Sequence, residues 1–133
     1  MIRRLLLVAV LSMGLCSGFA MAADRVYELR TYTCFEGKLE ALKTRFRDHT
    51  IEIFKRHGME SVGYWVPQDA EKSKTTLIYI LAHPSLEAAK KNWAEFNADP
   101  EWKKVSAESQ VNGKIVQKAE SVFMDPADFS KLK

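Results

Sequence analysis

Three polar side chains alternate along one short segment at a spacing that could do chemistry. Glu28, Arg30 and Tyr32 lie within residues 26–33, a stretch rich in β-branched and aromatic residues. Such a stretch is typical of a β-strand, and alternate residues of a strand share one face. Together they could orient a small anionic or carbonyl substrate, with Tyr32 donating or carrying a proton. The alternative is a structural ion pair of Arg30 with Glu28 or Glu120, because buried pairs also serve specificity.

Four further side chains could bind a ligand. Tyr64, Trp65 and Tyr79 could line an apolar pocket for a flat molecule, and packing in the core or an interface explains them equally well. His49 could be a general base or an axial haem ligand, as could His57. Their spacing of eight residues does not suit joint metal chelation by one helix. The sequence therefore predicts no metal site and no cofactor, with haem as a minor alternative.

Charge and motif content exclude several classes of protein. The formal net charge is +3, and lysines alternate with glutamates as on solvated helix faces. Nothing resembles the basic stripe of a nucleic-acid-binding protein. No Ser–His–Asp arrangement, glycine-rich phosphate loop or cluster of zinc ligands supports a hydrolase or a nucleotide-dependent enzyme. Cys34 is expected to be buried, with a reactive thiol or a bond between subunits as the alternatives.

Residues 1–22 have the pattern of a signal peptide. Arg3 and Arg4 precede an apolar run that is short for a membrane span, and small residues follow where a signal peptidase cleaves. Cleavage after Ala22 is predicted, with an uncleaved anchor as the alternative. The domain of residues 23–133 is therefore expected in the periplasm or outside the cell, without membrane association.

The elements that position these side chains follow the order β-α-β-β-α-β. Strands are predicted at residues 26–33, 59–66, 75–82 and 115–124. The first helix runs from Gly37 to Gly58, and its inward stripe comprises Leu39, Leu42, Phe46, Thr50, Ile53 and His57. Ser85 is expected to cap the second helix, and Asp99-Pro100 to start a short third one. This order predicts an α+β, ferredoxin-like fold with an antiparallel sheet and both long helices on one face.

The sheet is predicted to pair with a second copy of itself. Alternation along the first strand places Tyr27, Leu29 and Thr31 on one face of the sheet. Glu28, Arg30 and Tyr32 then lie on the other face. The third strand is apolar on both faces, with Leu77, Tyr79 and Leu81 against Ile78 and Ile80. One layer of helices covers only one face, so the other face needs a second cover. We predict a homodimer whose sheets face each other and nearly close a barrel, with the Glu28 group between them.

Four separated motifs resemble those of the NIPSNAP family. They are residues 26–32 (VYELRTY), residues 57–65 (HGM and VGYW), residues 93–102 (from Trp93 to Trp102) and residues 126–130 (PADFS). The resemblance implies the dimeric α/β-barrel fold, whose superfamily includes cofactor-independent monooxygenases, small-molecule isomerases and haem-binding enzymes. It implies no common reaction for the family itself. The chain departs from the family pattern at Glu36, where proline is usual, and at Ala127, where threonine is usual.

These patterns together predict an exported homodimer that binds a small molecule. The first alternative is a cofactor-independent monooxygenase or isomerase acting on a small organic substrate between the two sheets. The second alternative is a haem-binding protein. Residue types and spacing do not decide whether the chain is an enzyme.

Overall fold

The computed structural model describes residues 24–133, so the predicted leader lies outside the described residues. The four strands are β1 (Val26–Cys34), β2 (Glu60–Trp65), β3 (Thr76–His83) and β4 (Val116–Met124). They form one antiparallel sheet in the order β2-β3-β1-β4. The helices are α1 (Leu39–Arg45), α2 (Ile51–Arg56), α3 (Leu86–Ala98) and α4 (Pro100–Ser109). The predicted α+β, ferredoxin-like fold is confirmed, and each strand end lies within one residue of its predicted position.

Helix ends occur where the capping signals predicted them. The Ser85 hydroxyl accepts a hydrogen bond from the Ala88 N–H at 3.0 Å and caps α3. Asp99 caps α4 by accepting from the Glu101 N–H at 2.8 Å, with proline in the first turn. Gly58 follows α2 with a φ of +73°, a conformation that glycine adopts without strain.

The first helix contains a π-helical segment, Phe46–Thr50, that joins α1 to α2. The Thr50 hydroxyl donates to the Arg45 carbonyl at 3.2 Å within this segment. A π turn holds more residues than an α turn, so later side chains are rotated about the axis relative to an unbroken α-helix. Phe54 is consequently buried, although the predicted stripe omits it. Arg45, which precedes the wider turn and is also absent from the predicted stripe, is buried too. His57, which the stripe includes, is only half-buried.

The core lies between the sheet and the helices. On β3, the side chains that face the helices are Leu77, Tyr79 and Leu81, and all three are buried. The Phe54 ring lies against the rings of Phe46, Tyr79, Trp93 and Phe96, with centroids between 4.9 and 6.1 Å away. Aromatic packing therefore joins both long helices to the sheet.

The face of the sheet away from the helices, here called the open face, is also apolar. Ile78 and Ile80 of β3 are half-buried there, while Val122 and Trp65 are 55% and 49% exposed. A Cβ atom on Gly63 would lie 2.6 Å from the Trp65 ring, so the indole lies directly over Gly63. The prediction that β3 is apolar on both faces is confirmed.

The C-terminal tail, residues 125–133, crosses one end of the open face. Its last carbonyl, on Lys133, accepts hydrogen bonds from the Tyr27 hydroxyl at 3.2 Å and from Arg25 Nε at 3.1 Å. The tail and the sheet enclose an apolar hollow of about 360 Å³ that includes Ile80 and Leu132. Among residues 24–133, no helix combines the length and apolar character needed to cross a bilayer.

Candidate functional site

Glu28, Arg30 and Tyr32 lie on the face of the sheet that the helices cover. The prediction that they lie between two sheets is wrong, because their β3 partners are the core residues Leu81, Tyr79 and Leu77. Strand alternation correctly grouped the three side chains on one face. It does not determine which face the helices cover, because both faces of β3 are apolar.

The Glu28 carboxylate is buried, with 1% of its side chain exposed, and it accepts four hydrogen bonds. Arg30 and the Ser121 hydroxyl donate to one oxygen at 2.8 and 2.7 Å. The Trp93 indole N–H and His83 Nε2 lie 2.7 and 2.9 Å from the other oxygen. Burial raises the pKa of Glu28, but the hydrogen bonds outweigh it and lower the pKa to about 2. At neutral pH this carboxylate is a fixed anion and a weak base.

Arg30 joins the carboxylate to a phenol and an indole. Its guanidinium donates to Glu28 at 2.8 Å and to the Tyr32 hydroxyl at 3.2 Å. It also lies 4.3 Å from the centre of the Trp93 ring, a cation–π contact. Its Nε is buried and has no partner in the described part of the chain. The ion pair that the sequence offered as the structural alternative is thus Arg30 with Glu28. Glu120 pairs instead with Lys118.

The group formed by Glu28, Arg30, Tyr32 and Trp93, here called the Arg30 cluster, borders solvent beside β4. This edge strand pairs only with β1 in the sheet, and the helices do not extend over it. Ala119 and Ser121 lie opposite Tyr32 and Arg30 on the helix-facing side of β4, and both are exposed. The Arg30 side chain keeps 17% of its surface exposed. A small molecule could therefore approach the cluster from the β4 edge.

Of the four predicted ligand-binding residues, the structure brings together Tyr64 and Tyr79. Their rings stack at 5.4 Å, and the Tyr32 ring meets Tyr79 edge-on at 5.3 Å. Burial raises the pKa of Tyr79 well above its usual value, and its hydroxyl has no partner among the described residues. Trp65, which follows Tyr64 in β2, lines a hollow of about 300 Å³ together with Tyr64. His49 is exposed on the π-helical segment and is not part of the lining of that hollow.

The other histidines have defined partners. His57 Nε2 lies 2.7 Å from the Asp99 carboxylate, which also accepts from Arg56 at 2.8 Å. These hydrogen bonds lower the pKa of Asp99 below its usual range. His83 is buried against Glu28. The prediction that Cys34 is buried is confirmed. In residues 24–133, no group of three or more histidine, cysteine or acidic side chains is arranged to hold a metal ion.

Three partners of Glu28 were missed by sequence reasoning. Sequence reasoning assigned no role in this site to Trp93, His83 or Ser121. The contacts of His83 and Ser121 with Glu28 depend on the strand register. His83 on β3 pairs with Val26 on β1, and Ser121 on β4 pairs with Arg30 on β1. A reliable prediction of strand pairing would have identified His83 and Ser121 as neighbours of Glu28. The Trp93 contact requires in addition the position of α3 over the sheet.

Comparison with known proteins identifies relatives. The model of the NIPSNAP family matches residues 27–131. A nipsnap family protein of unknown function from Agrobacterium tumefaciens is 31% identical, with a TM-score of 0.72 over 83% of this chain and 95% of that chain. A monooxygenase from Streptomyces coelicolor, solved with nanaomycin D, is 17% identical, with a TM-score of 0.53 over 78% and 88%. A cofactor-independent oxygenase from Streptomyces nogalater is 16% identical, with a TM-score of 0.52 over 84% and 100%. No curated protein matches the chain.

Proposed function

The chain belongs to the NIPSNAP family, and we propose that it is an exported homodimer that binds a small, flat organic molecule at the Arg30 cluster. The observation that carries this proposal is the guanidinium of Arg30. It is held in place by a buried carboxylate, stacked on Trp93, and still partly exposed beside the uncovered edge strand. A cation fixed in this way is preorganised to receive an oxygen atom of a ligand.

The chemistry of the cluster favours a ligand with an anionic or carbonyl oxygen on an aromatic body. Arg30 and the Tyr32 hydroxyl can donate to such an oxygen, and the faces of Trp93 and Tyr32 can contact a flat ring. Glu28 holds Arg30 in place and does not transfer a proton at neutral pH, because its pKa is about 2. The proposed ligand site thus lies within one subunit, on the helix side of its sheet.

A ligand-binding test can use a hydroxynaphthoquinone as a flat, coloured probe and Trp93 as the reporter. We expect the probe to quench tryptophan fluorescence saturably. Tyr32→Phe removes one hydrogen-bond donor and should weaken binding about fivefold. Arg30→Lys should weaken it more, because lysine lacks the planar fork of donors. His49→Ala, on the exposed surface away from the cluster, is the control and should leave affinity unchanged. Equal affinity in the wild type and both cluster variants would contradict the proposed site.

The homodimer part of the proposal is supported by the open face. Its apolar side chains on β3 and β4 lie on the sheet face that the helices leave free, and the tail crosses only one end of it. Burying such a face against an identical one removes apolar surface from water on both copies. Export is supported by the leader pattern of residues 1–22.

Val122→Glu tests the dimer, because Val122 is exposed on the open face and is not needed in the core of one subunit. A charge there would be buried without a partner in the dimer, so we expect a monomer at micromolar concentration in light scattering. Val111→Glu makes the same change at an exposed position in the turn after α4 and should leave the dimer intact. Native mass spectrometry of the wild type would report the subunit number, leader removal and any retained ligand. A wild-type monomer would refute the pairing.

A second candidate function is that of a cofactor-independent monooxygenase or isomerase at the same cluster. The observation that favours it is the Tyr79 hydroxyl, which is buried beside Tyr32 and lacks a partner in the described residues. A neutral phenol there could donate to a reacting oxygen atom. Two oxygenases also share the fold. Dioxygen uptake or isomerisation of a bound probe, lost in Tyr32→Phe, would favour this candidate over simple binding.

The histidines do not fit the haem alternative. The ring nitrogen Nε2 of His57 lies within hydrogen-bond distance of Asp99, and His49 lies on the exposed side of the π-helical segment. We therefore propose that the protein acts without a cofactor. Haemin added to the purified protein should give no shifted Soret band.

A further inference from the structure

We propose that the hollow between the first helix and α4 binds a small monocarboxylate, with Arg45 as its cationic anchor. The hollow has a volume of about 360 Å³. Its lining comes from α1, from the π-helical segment through His49, and from α4. It is a separate site from the Arg30 cluster. The inference therefore does not depend on what that cluster binds.

Arg45 is a buried cation without an acidic partner. Its residue is 7% exposed, and it forms no salt bridge within residues 24–133. Its guanidinium makes one hydrogen bond, a long one to the Ser109 hydroxyl at 3.3 Å, and its Nε is buried without a partner in the described chain. The Trp102 ring lies 5.2 Å away and offers only its face. Burying a charge without compensation is costly, so an anion at this position would relieve an existing deficit.

The contrast with two other arginines supports this interpretation. Arg25 and Arg56 each contact carboxylates, and these contacts raise their pKa values. Burial lowers the pKa of Arg45, and the groups that oppose this shift are the side chains of Tyr32, Cys34 and Tyr79, none of them a carboxylate. Arg45 thus places a positive charge in the interior that no carboxylate of residues 24–133 meets in a salt bridge.

Arg45 faces inward at the end of α1, one turn after the buried Leu42. The wider π turn begins at the next residue, and Arg47, two residues later, is exposed. Single π turns in helices are frequent at functional sites. Here the π turn begins directly after the residue whose guanidinium lines the hollow.

The lining of the hollow selects among anions. Thr44 and Ser109 bring hydroxyl donors, while Ala41 and Val105 bring apolar surface for a carbon skeleton. Glu108 is also part of the lining, and its carboxylate is mostly exposed and paired loosely with Lys104 at 3.9 Å. A fixed negative charge disfavours a doubly charged anion more than a singly charged one. A compact monocarboxylate with an apolar body is therefore expected to bind better than phosphate.

The test titrates the full protein with sodium benzoate and, separately, with sodium phosphate at equal ionic strength. The signal is the NMR resonance of the arginine Nε–H groups in nitrogen-15-labelled protein. Benzoate should shift the Arg45 resonance saturably, and phosphate should bind at least about tenfold more weakly. Glu108→Gln removes the exposed carboxylate and should tighten benzoate binding about threefold.

Arg45→Met should abolish the benzoate response, while the matched change Arg47→Met at an exposed position of the adjoining π-helical segment should preserve it. If Arg45→Met unfolds, Glu108→Gln still decides the matter, because its side chain is exposed and its effect has a fixed sign. Absence of a saturable shift at Arg45 in the wild type would overturn the proposal. Phosphate binding as tight as benzoate, or weaker benzoate binding by Glu108→Gln, would also overturn it.

Discussion

Replacing Glu28 by alanine is expected to lower the free energy of unfolding by about 3–5 kcal/mol, the usual cost of removing one partner from a buried ion pair. The change leaves the guanidinium of Arg30 and the N–H groups of His83 and Trp93 without their shared acceptor. Each donor would stay largely buried, so water could not fully replace the lost hydrogen bonds. Urea denaturation followed by circular dichroism measures the effect.

Glu40→Ala is the matched control for this change. Glu40 is an exposed glutamate on α1 whose partner is Lys43, at 2.8 Å. Exposed ion pairs contribute little, so its removal should change stability by less than about 1 kcal/mol. A similar small loss in Glu28→Ala would show that the four hydrogen bonds do not stabilise the fold.

The same carboxylate predicts a pH dependence. Folding lowers the pKa of Glu28 from its ordinary value of 4.5 to about 2, so the folded state favours the ionised form. The resulting stabilisation, about 3 kcal/mol, is fully present above pH 5 or so and is lost as the pH falls toward 2. Unfolding free energies measured across this range should decline in the wild type. The decline should be much smaller in Glu28→Gln, and an equal decline in both proteins would contradict the assignment.

Replacing Phe54 by alanine is expected to destabilise the fold by about 3–5 kcal/mol. Its ring is buried among four other aromatic rings that belong to the first helix, β3 and α3. Alanine would leave a cavity that these large neighbours cannot close without losing their contacts with each other. Thermal and urea unfolding should both report the loss.

The control for Phe54 is Phe35→Ala. Phe35 is a phenylalanine that follows β1 and keeps 40% of its surface exposed. Its truncation removes less buried surface and should cost less than about 1.5 kcal/mol. Equal losses at the two positions would mean that the aromatic cluster contributes no more than surface packing.

Local signals predicted most of the fold. Strand composition and the capping signals at Ser85 and Asp99 are properties of short stretches of the chain. The order of the strands and helices, and the positions of their ends, could therefore be predicted. The predicted inward stripe of the first helix is buried from Leu39 to Ile53, but it omitted the buried Phe54. A π turn changes the helical phase without a recognisable residue type, and a period of 3.6 cannot reveal it.

Only part of the candidate site could be predicted, because sequence patterns again report on single elements and not on how they pack. The alternation of Glu28, Arg30 and Tyr32 is a property of one strand, and the sequence identified it. The choice of the sheet face that the helices cover depends on how separate elements pack together. The hydrogen bond from Trp93 to Glu28 depends on the same packing. Such contacts join residues far apart in the chain and leave no spacing rule between them.

The indole of Trp65 lies flat because Gly63 carries no side chain beneath it. A single added methyl group would lie 2.6 Å from the ring and would push it outward. The position of this exposed indole is therefore set by an absent atom.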